Sequence, residues 1–571
     1  MVTKEVLAKY DPKVVNEISC KISSFLRTKG GDSYLKYVLT YLAYVIAINK
    51  IDSENNLIAF IEENVSEQRA MFVKDVARES IGTAFQIAEH LAEEALLVYL
   101  FFYPRDGFFT ISGDYGTPDS ICKLALRVLD IKEDDIIADF GSGAGDFITL
   151  ATSLYDNQFY GIEKNTYAHE ISLIRAELFS EGVEIELGDM FNMPRDRVFD
   201  KIFSNYPFAV KLIYQQNGAD YLDSLRKRIP EIKRAISSDW LFNSVIVDHL
   251  SDSGKAVAIM TNGGCWNGID QSVREYYVRN GYIEAVIALP GKLFDPVSIP
   301  TTMIVFSRGN YTIRMIDATR ICEQGRRQNI ITDSNIEDIL KCLNEGSENA
   351  VTVDIKALQQ NDYMLNPSRY FDGPIEIEDG VEFGSIMKRI TRGAPLKANE
   401  LDEMVSEEPT GTQYLMLSNI QNGMISEDLP YLKELDPKFD KYCIENRNLL
   451  LSKNGAPFKV AVAEIEDGKK VLGNGNLFIV ELNEEKVDPY YIKAFFDSET
   501  GVATLKSIVV GTTIPNISAE SLKKLMVPLP PMKKQKEIAS LYLAKLDEIK
   551  VLKLRLQKAQ NDLRGIFGEV E

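Results

Sequence analysis

Asn205, Tyr206, Pro207 and Phe208 follow directly on the apolar run Phe199 to Ser204. An Asn ahead of a proline-containing turn and an aromatic ring has a specific chemical use. The Asn side-chain oxygen and the backbone carbonyl of Tyr206 can both accept from an exocyclic amino group. Two such acceptors draw the nitrogen out of conjugation with its ring and aim its lone pair. Phe208 offers a face on which a planar base can stack. Taken alone, the same residues would also make an ordinary turn with a buried aromatic. A second constellation lies upstream: Asp139, Phe140, Gly141, Ser142, Gly143, Ala144, Gly145, Asp146 and Phe147 close one apolar run and open a helical pattern. Glycines there allow a tight turn and close backbone approach by a ligand, with a helix N-terminus pointing at it. Such a loop serves nicotinamide and flavin dinucleotides and S-adenosylmethionine alike. The next apolar run, Gln158 to Ile162, ends in Glu163 and Lys164, and an acid at that place suits ribose hydroxyls. The run from Val183 ends in Gly188, Asp189 and Met190, where the Asp can accept from the amino group of a bound adenine. A solvated strand-end carboxylate and a turn Asp are the plain alternatives for Glu163 and Asp189.

All four constellations sit where open α/β sheets place their sites, at the carboxyl ends of strands. Helical patterns separate the apolar runs, and further runs follow at Gly254 to Met260, Ile283 to Leu289 and Met303 to Ser307. Strands alternating with helices predict a doubly wound parallel sheet over residues 109–375, its strands ending near 310 and an αβ segment trailing behind. Residues 1–108 carry apolar positions at helical spacing and predict a separate helical domain. Beyond a Gly-Pro and acid-rich linker, residues 376–532 are richer in short strands and Gly-containing turns. Residues 533–571 read as one long helix. Ile538, Tyr542, Ile549, Leu552, Leu556, Ala559 and Leu563 share a heptad seam broken only by Lys545.

The chain has 571 residues, enough for three or four domains at roughly 150 residues each. Its 64 Lys+Arg against 84 Asp+Glu give a net charge of −20, which argues against coating nucleic acid or a membrane by bulk electrostatics but allows a local basic groove. No C-x-x-C pair occurs among the 6 cysteines, so neither a zinc knuckle nor a redox motif is supported. With no apolar leader and no run of about 20 apolar residues, a soluble cytoplasmic protein is expected. The 3 histidines lie far apart, against a multi-His metal site or a Ser-His-Asp relay.

The glycine loop followed by Asn205-Tyr-Pro-Phe208 resembles the amino-methyltransferase pair D-P-x-x-G-x-G-x-F and N-P-P-F. Gly113-Asp-Tyr115-Gly-Thr117-Pro118, Asp239-Trp-Leu-Phe242, Ile283 to Pro290, Phe294 to Thr302 and Asp362 to Tyr370 extend the likeness. Together they resemble the modification subunit of Type I restriction-modification systems, in the motif order of the γ class. Gly384 to Gly393, Asn448 to Gly455, Gly511 to Pro515 and Leu522 to Met532 are similar to a Type I specificity subunit. That subunit usually holds two recognition domains and two long helices; here there is one of each.

The resemblance implies a class I S-adenosylmethionine-dependent methyltransferase fold with a C-terminal α+β target recognition domain and a coiled-coil helix. It implies methyl transfer from S-adenosylmethionine to adenine N6 in double-stranded DNA, the base being flipped out of the helix. Asn205, Tyr206, Pro207 and Phe208 would handle the base, with Trp266 and the Tyr206 ring as further stacking candidates. Tyr115, Thr117, Pro118, Asp139, Gly141, Ser142, Gly143, Gly145, Asp146, Phe147, Glu163, Lys164, Asp189 and Met190 would hold the cofactor. No metal or general base is required. Lys388, Arg389, Arg392, Lys453 and Lys459 are candidate DNA contacts, with solvated surface charge as the alternative. Pairing through the terminal helix would give a homodimer with two recognition heads. Neither a nuclease motif nor a Walker loop is present, so restriction would need a separate translocase-nuclease subunit. Two departures stand out: Phe140 and Tyr206 occupy places where the family has Pro. Losing the second Pro loosens the turn that aims the carbonyl. A catalytically silent DNA-binding protein therefore stays open, as does a methyltransferase acting on RNA or on a protein glutamine.

Overall fold

The computed structural model describes residues 12–26, 33–64, 67–103, 116–180, 182–208, 210–211, 216–233, 235–294, 300–326, 328–371, 377–421, 423–426, 428–455, 457–466, 468–509 and 515–565. The chain divides into two compact units, Met1–Phe371 and Asp372–Glu571.

The first unit begins with helices α1 (Pro12–Leu26), α2 (Ser33–Asn49), α3 (Glu54–Asn64), α4 (Glu67–His90) and α5 (Glu93–Phe102). Helix α4 is kinked at Ser80, whose backbone leaves the helical region (φ −140°, ψ 15°). Helix α2 is apolar nearly all round and buries Tyr37, Leu39 and Leu42 completely. Its core does not end with the bundle. Ala144, Ile171 and Ile174 of the following α/β segment belong to the same cluster.

That segment holds a nine-stranded sheet. Its strands are β1 (Ile136–Phe140), β2 (Gln158–Glu163), β3 (Val183–Leu187), β4 (Phe199–Ser204), β5 (Leu250–Thr261), β6 (Ile283–Ala288), β7 (Thr301–Phe306), β8 (Thr312–Asp317) and β9 (Ala350–Asp354), in the order β3-β2-β1-β4-β5-β7-β6-β8-β9. Helices α6 (Asp119–Leu129), α7 (Asp146–Thr152), α8 (Thr166–Phe179), α9 (Gln216–Arg228) and α10 (Ser238–Asp248) are among those that flank it. Both faces are covered, so central strands read as continuous apolar runs. Along β5, Ala256, Ala258 and Met260 point into one core and Val257 and Ile259 into the other. At the sheet edge β3 alternates instead, with Glu184 and Glu186 exposed.

Two expectations are corrected. The sheet is not wholly parallel, because β7 runs antiparallel to both β5 and β6 and β9 runs antiparallel to β8. The chain doubles back after β6, where the Leu289 amide donates to the Thr301 carbonyl at 3.0 Å, so β7 enters as the return arm of a wide hairpin. Nor does the sheet stop near 310, since the trailing segment supplies β8 and β9.

The second unit contains a four-stranded sheet of Met387–Arg392, Leu477–Leu482, Leu449–Ser452 and Val460–Val462, in that order, and a five-stranded mixed sheet. The terminal helix runs Met532–Gly565. Gln535 anchors its start: it is 1 % exposed, accepts from the Asp488 amide at 3.0 Å and donates to the Lys486 and Pro530 carbonyls. Farther along, Ile549, Leu552, Leu556 and Leu563 of the heptad seam are exposed. Among the described residues, no helix is long and apolar enough to cross a membrane.

Candidate active site

Because β3, β2, β1 and β4 are consecutive in the sheet, the loops after them converge on one rim. A cavity of about 440 Å³ opens there, a size suited to a nucleoside-sized ligand. The glycine loop forms one wall. Gly141 (φ 73°) and Gly145 (φ 80°) lie in the left-handed region that favours glycine. A Cβ on Gly145 would also come within 3.3 Å of the Ser172 Cβ, so the loop sits tightly on α8. Glu163, at the end of β2, has its carboxylate fixed from both sides: Gly143 N–H donates to Oε2 at 2.8 Å and Asn165 N–H to Oε1 at 2.6 Å. After β3, Asp189 accepts from the Phe191 amide (3.1 Å), Lys164 Nζ (2.9 Å) and Asn217 Nδ2 (3.1 Å). Burial alone would raise its pKa, but these donors outweigh it and hold the carboxyl below the usual range.

At the end of β4, Asn205 Nδ2 donates to Thr117 Oγ1 at 3.0 Å. The amide is thereby oriented, and its Oδ1 is buried with no hydrogen-bond partner. A buried acceptor left unmet costs on the order of 1–3 kcal/mol, so an incoming N–H donor has a ready place. Pro207 and Phe208 line the same cavity; the Phe208 ring meets Phe294 edge-on at 5.5 Å. Tyr206 is held through its side chain. Its ring is 1 % exposed and stacks on Phe242 at 4.5 Å and 17°, and its hydroxyl donates to Asn243 Oδ1 at 3.0 Å. Burial also pushes the phenol well above its ordinary pKa, so it stays a neutral donor.

Thirteen predicted residues thus share the cavity wall: Thr117, Gly141, Ser142, Gly143, Asp146, Glu163, Lys164, Asp189, Met190, Asn205, Tyr206, Pro207 and Phe208. Others do not. Asp139 is buried beneath the loop, where desolvation and then the charges of Asp146 and Glu163 drive its carboxyl well above the usual range. Phe147 stacks on Phe203 at 4.3 Å in the core behind the sheet. Pro118 caps the start of α6 and Gly145 that of α7, both away from the cavity wall. Trp266 packs against the core and does not line the cavity. Tyr115 falls outside the described residues. Phe191, Phe242 and Phe294 complete the aromatic wall without having been singled out from sequence for that role. The largest omission was Arg175, whose partners come from distant segments and leave no local signal. Its guanidinium donates to the Phe101 carbonyl (2.6 Å), the Ala144 carbonyl (2.9 Å) and Asp146 Oδ1 (2.7 Å).

In the second unit the five basic candidates divide. Arg389 pairs with Glu445 and Glu481, Lys388 reaches Glu481 at 4.0 Å, and Lys459 Nζ donates to the Leu417 carbonyl at 2.6 Å. Among the described residues no carboxylate pairs with Arg392, Lys453 or Lys459, and the Arg392 Nε donates to the Gly475 carbonyl. The Lys453 pKa is lowered by partial burial and then by the Arg392 charge beside it.

Comparison with known proteins bears on both units. Residues 110–379 match the N-6 DNA methylase family, and residues 398–560 match the type I restriction modification DNA specificity domain. The methylase subunit of the Type I restriction enzyme MjaIX from Methanocaldococcus jannaschii is 25% identical over 336 residues, 52% of this chain and 57% of that one. The HindI methylase subunit of Haemophilus influenzae is 24% identical over 363 residues, 57% of this chain and 80% of that one. The chain spans between about half and two thirds of the archaeal methylase subunits it matches. In fold it is similar to the protein of a DrdV–DNA complex determined by cryo-EM, with a TM-score of 0.53 and 10% identity, over 95% of this chain and 70% of that one.

Proposed function

We propose that this chain, in which an N-6 DNA methylase domain is followed by a type I DNA specificity domain, is a site-specific DNA methyltransferase that acts on adenine N6. The observation that carries the reading is the buried, unpartnered Oδ1 of Asn205, in a residue that lines one cavity with Phe208, Glu163 and Asp189. The cavity residues fit S-adenosylmethionine: Glu163 for ribose hydroxyls, Asp189 for the adenine amine, and Thr117 with the Gly141–Gly143 backbone for the remainder. When bound, the cofactor supplies a methyl group already activated on a sulfonium, so no metal or general base is needed. Asn205 Oδ1 and the Tyr206 carbonyl would accept the two N6 hydrogens of a flipped adenine, and Phe208 would stack on its ring. The chain's contribution to the rate is then mostly positioning. Incubation with plasmid and S-adenosylmethionine, followed by single-molecule mapping of N6-methyladenine, tests this. A consensus motif carrying the mark is the expected result. Methylated protein or RNA only, or tight DNA binding with no mark, would refute it.

Arg392 and Lys453 are the basic pair we assign to DNA phosphates: no described carboxylate neutralises either, and the charge of each bears on the other, whereas Lys459, also without a described carboxylate, spends its ammonium on the Leu417 carbonyl. Replacing each with Ala should reduce the slope of log affinity against log salt by about one. Unchanged slopes in both variants would remove them from the interface. The exposed seam of Ile549 (40%), Leu552 (53%), Leu556 (59%) and Leu563 (68%) supports pairing of two chains through the terminal helix. Sedimentation at micromolar concentration should show a dimer that Leu552→Glu with Leu556→Glu converts to monomer. A wild-type monomer, with or without DNA, ends that proposal. Restriction would then fall to a separate translocase-nuclease subunit.

A further inference from the structure

Asn243 is an anomaly in its helix. Its neighbours on α10 include Trp240, Leu241, Phe242, Val245 and Ile246, and it is itself 0% exposed. Burying an amide in apolar surroundings is costly unless it is hydrogen-bonded. Asn243 makes two contacts: its Oδ1 accepts from the Tyr206 hydroxyl at 3.0 Å, and its Nδ2 points to Met260 Sδ of β5 at 3.6 Å. The second is weak, so the tyrosine is the partner that accounts for the amide.

Tyr206 itself stands where a proline ring would fix φ covalently. Pro207 behind it restricts Tyr206 to extended conformations but leaves that φ free. Two things then hold the residue from its far end: the Phe242 ring at 4.5 Å and the Asn243 amide. Both come from one turn of α10, and Met260 ties that turn to the adjacent strand.

We propose that Asn243 is a positioning residue: by holding the Tyr206 hydroxyl, it fixes the backbone carbonyl of Tyr206 that accepts from the target amine. The clamp substitutes for the constraint of the missing proline ring. It rests on the adenine-methylating reading given above.

The test is epistasis. Asn243→Leu, close in volume, should lower kcat by about tenfold or more, since sub-ångström misplacement of an acceptor is costly. The affinity for S-adenosylmethionine, measured by calorimetry, should stay within about twofold, because Asn243 touches none of the residues assigned to it. Tyr206→Phe, which keeps the ring and stack and so should fold, should show a smaller loss of kcat. Tyr206→Pro should retain kcat within about threefold, and adding Asn243→Leu to it should cost no more than about twofold, because the ring then aims the carbonyl. A merely structural Asn243 would lower kcat and melting temperature alike in both backgrounds, and that result overturns the clamp. Full kcat in both Asn243→Leu and Tyr206→Phe overturns it too. Absence of methylation by the wild-type protein would instead remove the reading on which the clamp rests, and the clamp with it.

Discussion

Replacement of Asn205 by Ala should lower the adenine methylation proposed above by about two to three orders of magnitude, the expected cost of deleting one placed hydrogen-bonding group at a reacting centre. The side chain has only one function left to it in this structure. Its Nδ2 is engaged by Thr117 Oγ1 at 3.0 Å, and its Oδ1 is buried and unpartnered. Deleting it therefore removes an acceptor that no other group at that place supplies. The loss should fall on kcat, because the Glu163 and Asp189 contacts assigned to the cofactor are untouched. Asn205→Asp is the sharper comparison. It keeps an acceptor oxygen but puts a second one, or a hydroxyl, opposite Thr117 in place of the N–H2 donor, and it adds a carboxylate to a rim that already holds Glu163 and Asp189. Activity should fall by at least about tenfold and recover in part at low pH, where the neutral acid forms. Asn205→Ala retaining more than about a tenth of wild-type kcat, with the mark still at one consensus motif, would show that Asn205 is not the acceptor.

The site was legible in sequence to the extent that each motif marks a strand end. The glycine loop, Glu163, Asp189 and Asn205 lie at the ends of β1, β2, β3 and β4, and those four strands are contiguous in the sheet in the order β3-β2-β1-β4, so motifs spread along the chain meet on one rim. What the spacing could not show was the direction of individual side chains. Asp139 and Phe147 bracket the glycine loop, yet one lies beneath it and the other stacks on Phe203 behind the sheet. The direction of β7 was equally hidden. All six of its residues are buried, and a fully buried run looks the same read in either sense. Tyr206 shows where local reading ends. Its sequence shows a lost proline, but the hydroxyl's partner lies 37 residues away on α10. Local reading saw the loss and could not see that contact.

Arg175→Ala should destabilise the first unit by about 3–5 kcal/mol, the range for leaving one member of a buried ion pair without its partner. Arg175 and Asp146 are 3% and 9% exposed, so solvent screens the pair little. Removing the guanidinium takes a cation away from the Asp146 carboxylate, whose charge already bears on Asp139 as that of Glu163 does, and removes a donor from the Phe101 and Ala144 carbonyls. These ends belong to three different pieces: the last turn of α5, the glycine loop, and, through the Thr117 amide on Asp146 Oδ2 at 3.0 Å, the segment that orients Asn205. A single arginine therefore ties the helical bundle to both halves of the cavity. Arg175→Lys keeps the charge but cannot reach all three acceptors with one ammonium, and should lose about half as much. Urea denaturation gives the stability change, and hydrogen exchange locates it, with faster exchange expected at α5 and at Thr117. Cofactor affinity should weaken even in the lysine variant, because the glycine loop loses its tie at Ala144. A loss below about 1 kcal/mol for Arg175→Ala, the value of an exposed pair, would mean that the bundle and the loop hold their places without it.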